Sequence, residues 1–106
     1  MIRDRERRNA HLTADVRMDP EGPGRSAQIT NVSTRGLRLR RAGRRLRRDQ
    51  ELWIEIPRVY GRGRMGMVAR VAWTREDEAG VQIEAMLPHH RERLLSLFEA
   101  LDRTEG

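Results

Sequence analysis

The feature that most limits what this chain of 106 residues can fold into is the alternation of apolar and polar residues. A period of two places the apolar side chains on one face of a β-strand. Six short segments have this period, and glycine, proline or acidic residues lie between several of them. Their apolar positions are Ala10 to Val16, Ala27 with Ile29, Leu37 with Leu39, Leu52 to Ile56, Met65 to Trp73, and Val81 to Ala85.

The last part of the chain changes to the period of a helix. Pro88 suits the first turn of a helix, where its missing N–H group has no cost. The apolar residues that follow at helical spacing are Leu94, Leu95, Leu97, Phe98 and Leu101. This pattern predicts an amphipathic helix over about residues 88–102. The whole chain is therefore predicted to be all-β, a six-stranded antiparallel β-barrel with a C-terminal α-helix at one opening.

The charge pattern divides the chain and indicates an anionic partner. The net charge is +6, and every basic residue other than histidine is arginine. Guanidinium groups bind phosphate with two parallel hydrogen bonds and stack on bases. Residues 1–9 are highly charged and lack an apolar period. We expect them to form a flexible basic arm, with residues 10–106 forming the barrel domain.

Several classes of function find no support in the sequence. Cysteine is absent, which excludes disulfides and thiolate sites. No apolar run approaches the ~18 residues of a membrane span, and no signal peptide is recognisable, so a cytoplasmic location is expected. His89 and His90 are adjacent and His11 is distant, a spacing that does not suit a metal site. No nucleophile and base are paired either, and we predict neither a cofactor nor an enzymatic activity.

The segment Asn31-Val32-Ser33-Thr34-Arg35-Gly36 has the pattern N-x-S-x-x-G and lies between two predicted strands. Asparagine and serine both donate and accept hydrogen bonds. Glycine allows a positive φ or a close approach of the backbone to a ligand. Taken alone, the segment is typical of a turn between two strands.

Together with the arginines about 25 residues upstream, this turn resembles the two-part signature of PilZ domains, bacterial receptors for cyclic di-GMP. The resemblance covers almost the whole chain and implies a six-stranded barrel that is often followed by a helix. It also implies that arginines of the arm bind the phosphates and guanine edges. Asn31 and Ser33 would touch a guanine, and Gly36 would hold the turn. The ligand-binding residues that it implies are Arg5, Arg7, Arg8, Asn31, Ser33 and Gly36.

The arm of the family has two arginines four residues apart, just before the first strand. The position of that strand leaves three registers open here: Arg5 with Asn9, Asp4 with Arg8, and Arg3 with Arg7. Only the last register has arginine at both positions, and it makes the segment before the strand longer than usual.

Three functions are open on these grounds. The first is a receptor that binds cyclic di-GMP and signals to an unidentified protein partner. The second is a PilZ-like adaptor that binds protein without the ligand. The third is a basic barrel that binds nucleic acid, because arginines are dense in and before the connector at residues 41–49. The scarcity of aromatic residues, 4% of the chain, disfavours the third.

The two tryptophans fall on opposite phases of their strands. Trp73 continues the apolar positions of its strand, so we predict that it lies in the core. Trp53 is on the outward phase, where a tryptophan marks either a contact surface or a pocket beneath the C-terminal helix.

Overall fold

The computed structural model describes residues 8–40, 46–57 and 63–105. Six strands and one helix form in these residues, and the strands close into an antiparallel barrel, which confirms the predicted fold. The elements are β1 (Arg8–Arg17), β2 (Arg25–Val32), β3 (Gly36–Arg40), β4 (Glu51–Ile56), β5 (Met65–Arg75), β6 (Glu78–Ala85) and α1 (Pro88–Glu105).

The order of strands around the barrel is β1-β2-β3-β6-β5-β4. Four of its six strand pairs join strands that are consecutive in sequence, as expected for hairpins. The strands β3 and β4 are not neighbours, and β3 pairs instead with β6. The barrel closes where β4 meets β1, and residues 15–17 of β1 pair there with residues 53–55 of β4.

The interior of the barrel is filled by the apolar residues of the alternating segments. Ile29, Leu39, Ile56, Met65 and Val71 are each fully buried, and no polar side chain is buried among the described residues. Burial of one such side chain stabilises the fold by roughly 1.5–3 kcal/mol. The alternation therefore directs the apolar side chains inward, and their burial holds the barrel closed.

The helix α1 packs against β1 and β5. Leu94, Leu97 and Leu101 are buried, as predicted, and Phe98 is partly buried against the same core. The sequence pattern placed Leu95 on this face as well, but its side chain is 44% exposed because it lies at the edge of the apolar stripe.

Polar contacts also attach the start of α1 to the barrel. Nδ1 of His90 lies 3.2 Å from the backbone nitrogen of Gly66 and 3.3 Å from its carbonyl oxygen. The guanidinium of Arg93 donates a hydrogen bond to the carbonyl oxygen of Arg64. These contacts fix the first turns of the helix against the start of β5. No helix among the described residues is long and apolar enough to cross a membrane.

The ends of two elements differ from the sequence prediction. Strand β1 begins at Arg8, so Arg8 and Asn9, which we had assigned to the arm, belong to the barrel. The helix continues three residues past the predicted end at residue 102. Residues 1–7 and 41–45 lie outside the described residues, and with them Arg5, Arg7 and most of the basic connector.

Candidate ligand-binding site

The turn between β2 and β3 is closed by Ser33. Its backbone N–H donates to the carbonyl oxygen of Gly36 at 2.9 Å. Its hydroxyl oxygen accepts hydrogen bonds from the N–H groups of Arg35 at 3.2 Å and Gly36 at 3.0 Å. The hydroxyl also lies 3.3 Å from the Gly36 carbonyl oxygen, to which it can donate. Because a hydroxyl has one donor and two acceptor positions, the turn uses all of them.

Gly36 is required by a close approach of two strands. A Cβ atom at this position would clash with the carbonyl oxygen of Val81 on β6. The backbone also pairs here, because the Ile83 N–H donates to the Arg35 carbonyl oxygen at 2.8 Å. The sequence left open a positive φ or a close approach to a ligand. In the structure, the backbone at Gly36 closely approaches β6, and this approach leaves no room for a side chain. Among the described residues, the glycine with a positive φ is Gly63.

A β-bulge in β2 brings Asn31 to the outer face of the barrel. Ile29 pairs with Leu39 and Asn31 pairs with Arg38, so Thr30 is an extra residue on β2. In an unbroken ladder Asn31 would pair with Leu37 and point into the core. A bulge re-aims the side chains that follow it, because it shifts the alternation by one residue.

A second bulge re-aims Trp73, and the prediction that Trp73 lies in the core is wrong. Val71 pairs with Val81 and Trp73 pairs with Gly80, so Ala72 is the extra residue on β5. Trp73 is half-buried and lies on the outer face. Its indole covers Gly80, where an added Cβ would collide with the ring.

The two bulges place Asn31 and Trp73 in one row across the barrel surface. Asn31 pairs with Arg38, Arg38 pairs with Gly80, and Gly80 pairs with Trp73. On the other side Asn31 pairs with Asn9 of β1. The row therefore runs across five strands, from the start of β1 to Trp73 near the end of β5.

Arg38 is a member of this row that the sequence analysis did not assign to the site. Its guanidinium carbon lies 5.5 Å from the centre of the Trp73 ring. Its Nε atom is buried and has no hydrogen-bond partner among the described residues. Because Arg38 lies between the apolar residues Leu37 and Leu39 on β3, the sequence places its side chain on the outer face of the barrel. The sequence does not show which residues of the neighbouring strands lie beside it.

A surface cavity of about 300 Å³ lies over this row. That volume is at the lower end of the ~300–1,000 Å³ typical of small-molecule sites. Arg35 and Arg38 are its charged lining residues, and none of its lining residues is acidic. The described residues that line it are Asn31, Ser33, Arg35, Gly36, Leu37, Arg38, Ala72, Trp73, Gly80, Val81 and Gln82. The cavity is therefore suited to an anionic ligand with a planar group.

Arg8 is the one arm residue of the predicted site that the structure describes. It pairs with Val32 in the sheet, and its guanidinium carbon lies 4.6 Å from the centre of the Phe98 ring of α1. Arg8 does not line the cavity. Asn31, Ser33 and Gly36 do line it, so the structure brings together the turn residues of the predicted set.

A network of charges lies beside the cavity. Arg70 of β5 pairs with Gln82, and its guanidinium contacts Glu84 at 2.7 Å and Glu51 at 3.8 Å. Its NH1 also donates to the carbonyl oxygen of Asp49 at 2.7 Å. The hydrogen bond to Glu84 is the main cause that raises the pKa of Arg70. Arg70 is thus paired with carboxylates, whereas no ion pair among the described residues involves Arg35 or Arg38. The described residues contain no group of three or more histidine, cysteine or acidic side chains that could hold a metal ion.

A comparison with protein-family models identifies the family of the chain. The model of the PilZ domain matches residues 2–100. The chain belongs to the PilZ domain family. This is a known family of cyclic di-GMP receptors, and its members are generally regulatory domains rather than enzymes. A comparison with curated proteins finds no significant relative.

Solved structures with the same fold include two PilZ domains. The PilZ domain of CeSA from a cellulose-synthesizing bacterium has a TM-score of 0.73 and 12% identity, over 91% of this chain and 97% of that chain. The PilZ domain of YcgR from Escherichia coli, solved with c-di-GMP, has a TM-score of 0.71 and 12% identity, over 93% and 90%. The MrkH–c-di-GMP complex of K. pneumonia has a TM-score of 0.71 and 14% identity. The match to MrkH covers 93% of this chain but 52% of that chain. At these identities the likeness concerns the fold.

Proposed function

We propose that this PilZ domain is a non-enzymatic receptor that binds cyclic di-GMP in the cavity over the β2–β3 turn and signals to a protein partner. One observation carries the proposal. The N-x-S-x-x-G turn forms one wall of a surface cavity whose charged lining residues are both arginines. Family membership and the c-di-GMP in the YcgR and MrkH structures support the choice of ligand.

The chemistry of the ligand suits the lining of this cavity. Cyclic di-GMP has two phosphates and two guanines, which need cationic donors and a planar contact surface. Arg35 is exposed at the tip of the turn, where its guanidinium can reach a phosphate. Asn31 presents an amide to the cavity from the outer face of β2, and an amide can both donate to and accept from a base edge.

In this proposal Ser33 and Gly36 act by shaping the wall. The Ser33 hydroxyl is used within the turn, so its contribution to binding is to hold Asn31 and Arg35 in position. Gly36 lets β3 approach β6 closely, and this approach places Arg38 next to Gly80. The arm arginines Arg5, Arg7 and Arg8 would add phosphate contacts from the edge of the cavity, and Arg8 would leave Phe98 to do so.

Calorimetric titration of the purified protein with cyclic di-GMP tests the proposal, with GTP and a short single-stranded oligonucleotide as controls. We expect saturable binding of cyclic di-GMP and much weaker binding of both controls. Preferential binding of the oligonucleotide would support a nucleic-acid function instead. The absence of binding to all three would leave the protein-binding adaptor as the function to test.

A further inference from the structure

We infer that the outer surface of the barrel around Trp53 is a self-association surface, through which two copies of this chain form a symmetric dimer. We call this surface the Trp53 face, and it consists of Trp53 with its outward neighbours on β1, β4, β5 and β6. None of these residues lines the cavity over the β2–β3 turn. The role of the face therefore does not depend on the ligand.

The centre of the Trp53 face is an apolar row across three strands. Trp53 of β4 pairs with Val68 of β5, and Val68 pairs with Ala85 of β6, so their side chains lie beside one another on the outside of the barrel. Trp53 and Val68 are half-buried and Ala85 is exposed. Leu87, two residues after Ala85, is 56% exposed. A tryptophan among apolar neighbours is typical of the centre of a protein interface.

Ion pairs surround this row and restrain its charged neighbours. The four ion pairs that the structure shows between described residues are all on this face. They are Arg17 with Asp15 at 2.8 Å, Arg64 with Glu55 at 3.1 Å, and Arg70 with Glu84 at 2.7 Å and with Glu51 at 3.8 Å. An apolar centre with a polar rim is the usual anatomy of a protein interface.

A second copy of the chain is the occupant that the charges favour. The net charge is +6, so two copies repel each other wherever arginines dominate the surface. The Trp53 face has four carboxylates and three guanidiniums, and repulsion is weakest there. An acidic partner would instead be attracted to the cavity, where Arg35 and Arg38 lie without a carboxylate in the described lining.

The register of β4 against β5 makes the face complementary to itself. A symmetric dimer has a two-fold axis, and each contact occurs twice. With this axis along the strands, between β4 and β5, each β4 residue of one copy lies opposite its own β5 partner position in the other. Trp53 then faces Val68 of the second copy, and Glu51 faces Arg70 of the second copy. Apolar groups thus meet apolar groups, and a carboxylate meets a guanidinium.

Sedimentation equilibrium tests the dimer, over a range from about 1 µM to about 1 mM that includes weak interfaces. We expect the average mass to rise with concentration from that of one chain toward that of two. Trp53→Glu should raise the dissociation constant at least about tenfold. Gln28→Glu is the matched control, because it makes the same change of charge at an exposed position of β2. A protein that stays monomeric at about 1 mM would overturn the inference, and a different protein would then be the occupant to test.

Charge reversal tests how the two copies are arranged. Glu51→Arg alone and Arg70→Glu alone should each weaken self-association, because each places like charges opposite one another twice. In an equimolar mixture of these two variants, both contacts join opposite charges. The mixture should therefore associate at least about tenfold more tightly than either variant alone. Equal association of the mixture and the single variants would overturn this arrangement.

A second pair of variants serves if Arg70→Glu does not fold, which circular dichroism shows. The same axis places the β1 end of the face opposite its β6 end, so Arg17 lies opposite Glu84 of the second copy. Arg17→Glu and Glu84→Arg should also associate more tightly when mixed than when alone.

Tryptophan fluorescence tests the location of the contact, because the chain has two tryptophans. Trp73→Phe leaves Trp53 as the emitting tryptophan, and its emission should shift to shorter wavelength with concentration as the second copy covers the indole. Trp53→Phe leaves Trp73, whose emission should not change. The reverse result would place the contact at the cavity and overturn the inference.

Discussion

At the scale of the residue, Ser33 and Gly36 show how a short motif can act through structure. The serine satisfies two backbone N–H groups of the turn, and the glycine admits the carbonyl oxygen of Val81. Both effects exist without a ligand. Substitutions at these positions are therefore expected to change the stability of the barrel as well as any affinity.

Ser33→Ala should lower the free energy of unfolding by about 1 kcal/mol, because the N–H groups of Arg35 and Gly36 lose their acceptor but stay near water. The turn should become less ordered, and affinity for cyclic di-GMP should fall with it. Urea unfolding and calorimetry measure the two effects. Ser26→Ala on the exposed face of β2 is the control. Equal stability of the two variants would show that the hydroxyl does not support the turn.

Gly36→Ala should cost more, on the order of 3 kcal/mol, because the methyl group meets backbone rather than a flexible side chain. The strands β3 and β6 would have to separate. Gly66→Ala makes the same change on β5, where an added Cβ has no neighbour closer than 3.9 Å. Thermal unfolding compares the two variants. A similar melting temperature for both would contradict the close approach at Val81.

At the scale of the element, the six strands and the helix follow from the periodicity of the sequence, but the outer face of the barrel does not. A bulge adds one residue without leaving a mark in the pattern. Asn31 is polar and lies next to a turn, so the sequence does not show which face of β2 it occupies. Trp73 continues the alternating apolar positions of β5 that begin at Met65, so the sequence places it on the inward face. The turn residues of the site could therefore be predicted. Their neighbours Arg38 and Trp73 could not, because the register of β6 against β3 and β5 brings them together.

The contact between β1 and α1 gives a prediction at this scale. Arg8 lies over Phe98, and a cation–π pair at a partly exposed site contributes about 0.5–1 kcal/mol. A double-mutant cycle of Arg8→Gln and Phe98→Leu should give a coupling energy in this range by urea unfolding. A cycle of Arg17→Gln with Phe98→Leu is the control and should be additive. A coupling energy near zero for the first cycle would show that the contact between Arg8 and the Phe98 ring does not stabilise the fold.

At the scale of the whole molecule, charge is the dominant property. The net charge of +6 favours the approach of anions, and the described lining of the cavity contains two arginines and no acidic residue. General attraction depends on salt, while recognition of a base depends on fixed geometry. The two contributions can therefore be separated by ionic strength.

Affinity for cyclic di-GMP should fall as ionic strength rises from about 0.1 M to about 1 M, because the Debye length falls from about 10 Å to about 3 Å. Replacing Arg5 and Arg8 together with glutamine should reduce both the affinity and its salt dependence. The same double replacement of Arg44 and Arg45 should have the smaller effect. Titrations of the two variants at several salt concentrations give the ranking. The opposite ranking would favour the basic connector and a nucleic-acid function.

The closure of the barrel is uneven, and this has a consequence for the first strand. Among the described residues, residues 15–17 of β1 pair with β4, and the partners of residues 8–14 all belong to β2. The helix α1 contacts β1 and β5, the strands on either side of β4. Within the described part of the chain, the first half of β1 thus has one open edge, and the helix packs near it through Arg8 and Phe98. Displacement of α1 would expose this edge of β1 for pairing with a strand of another protein chain.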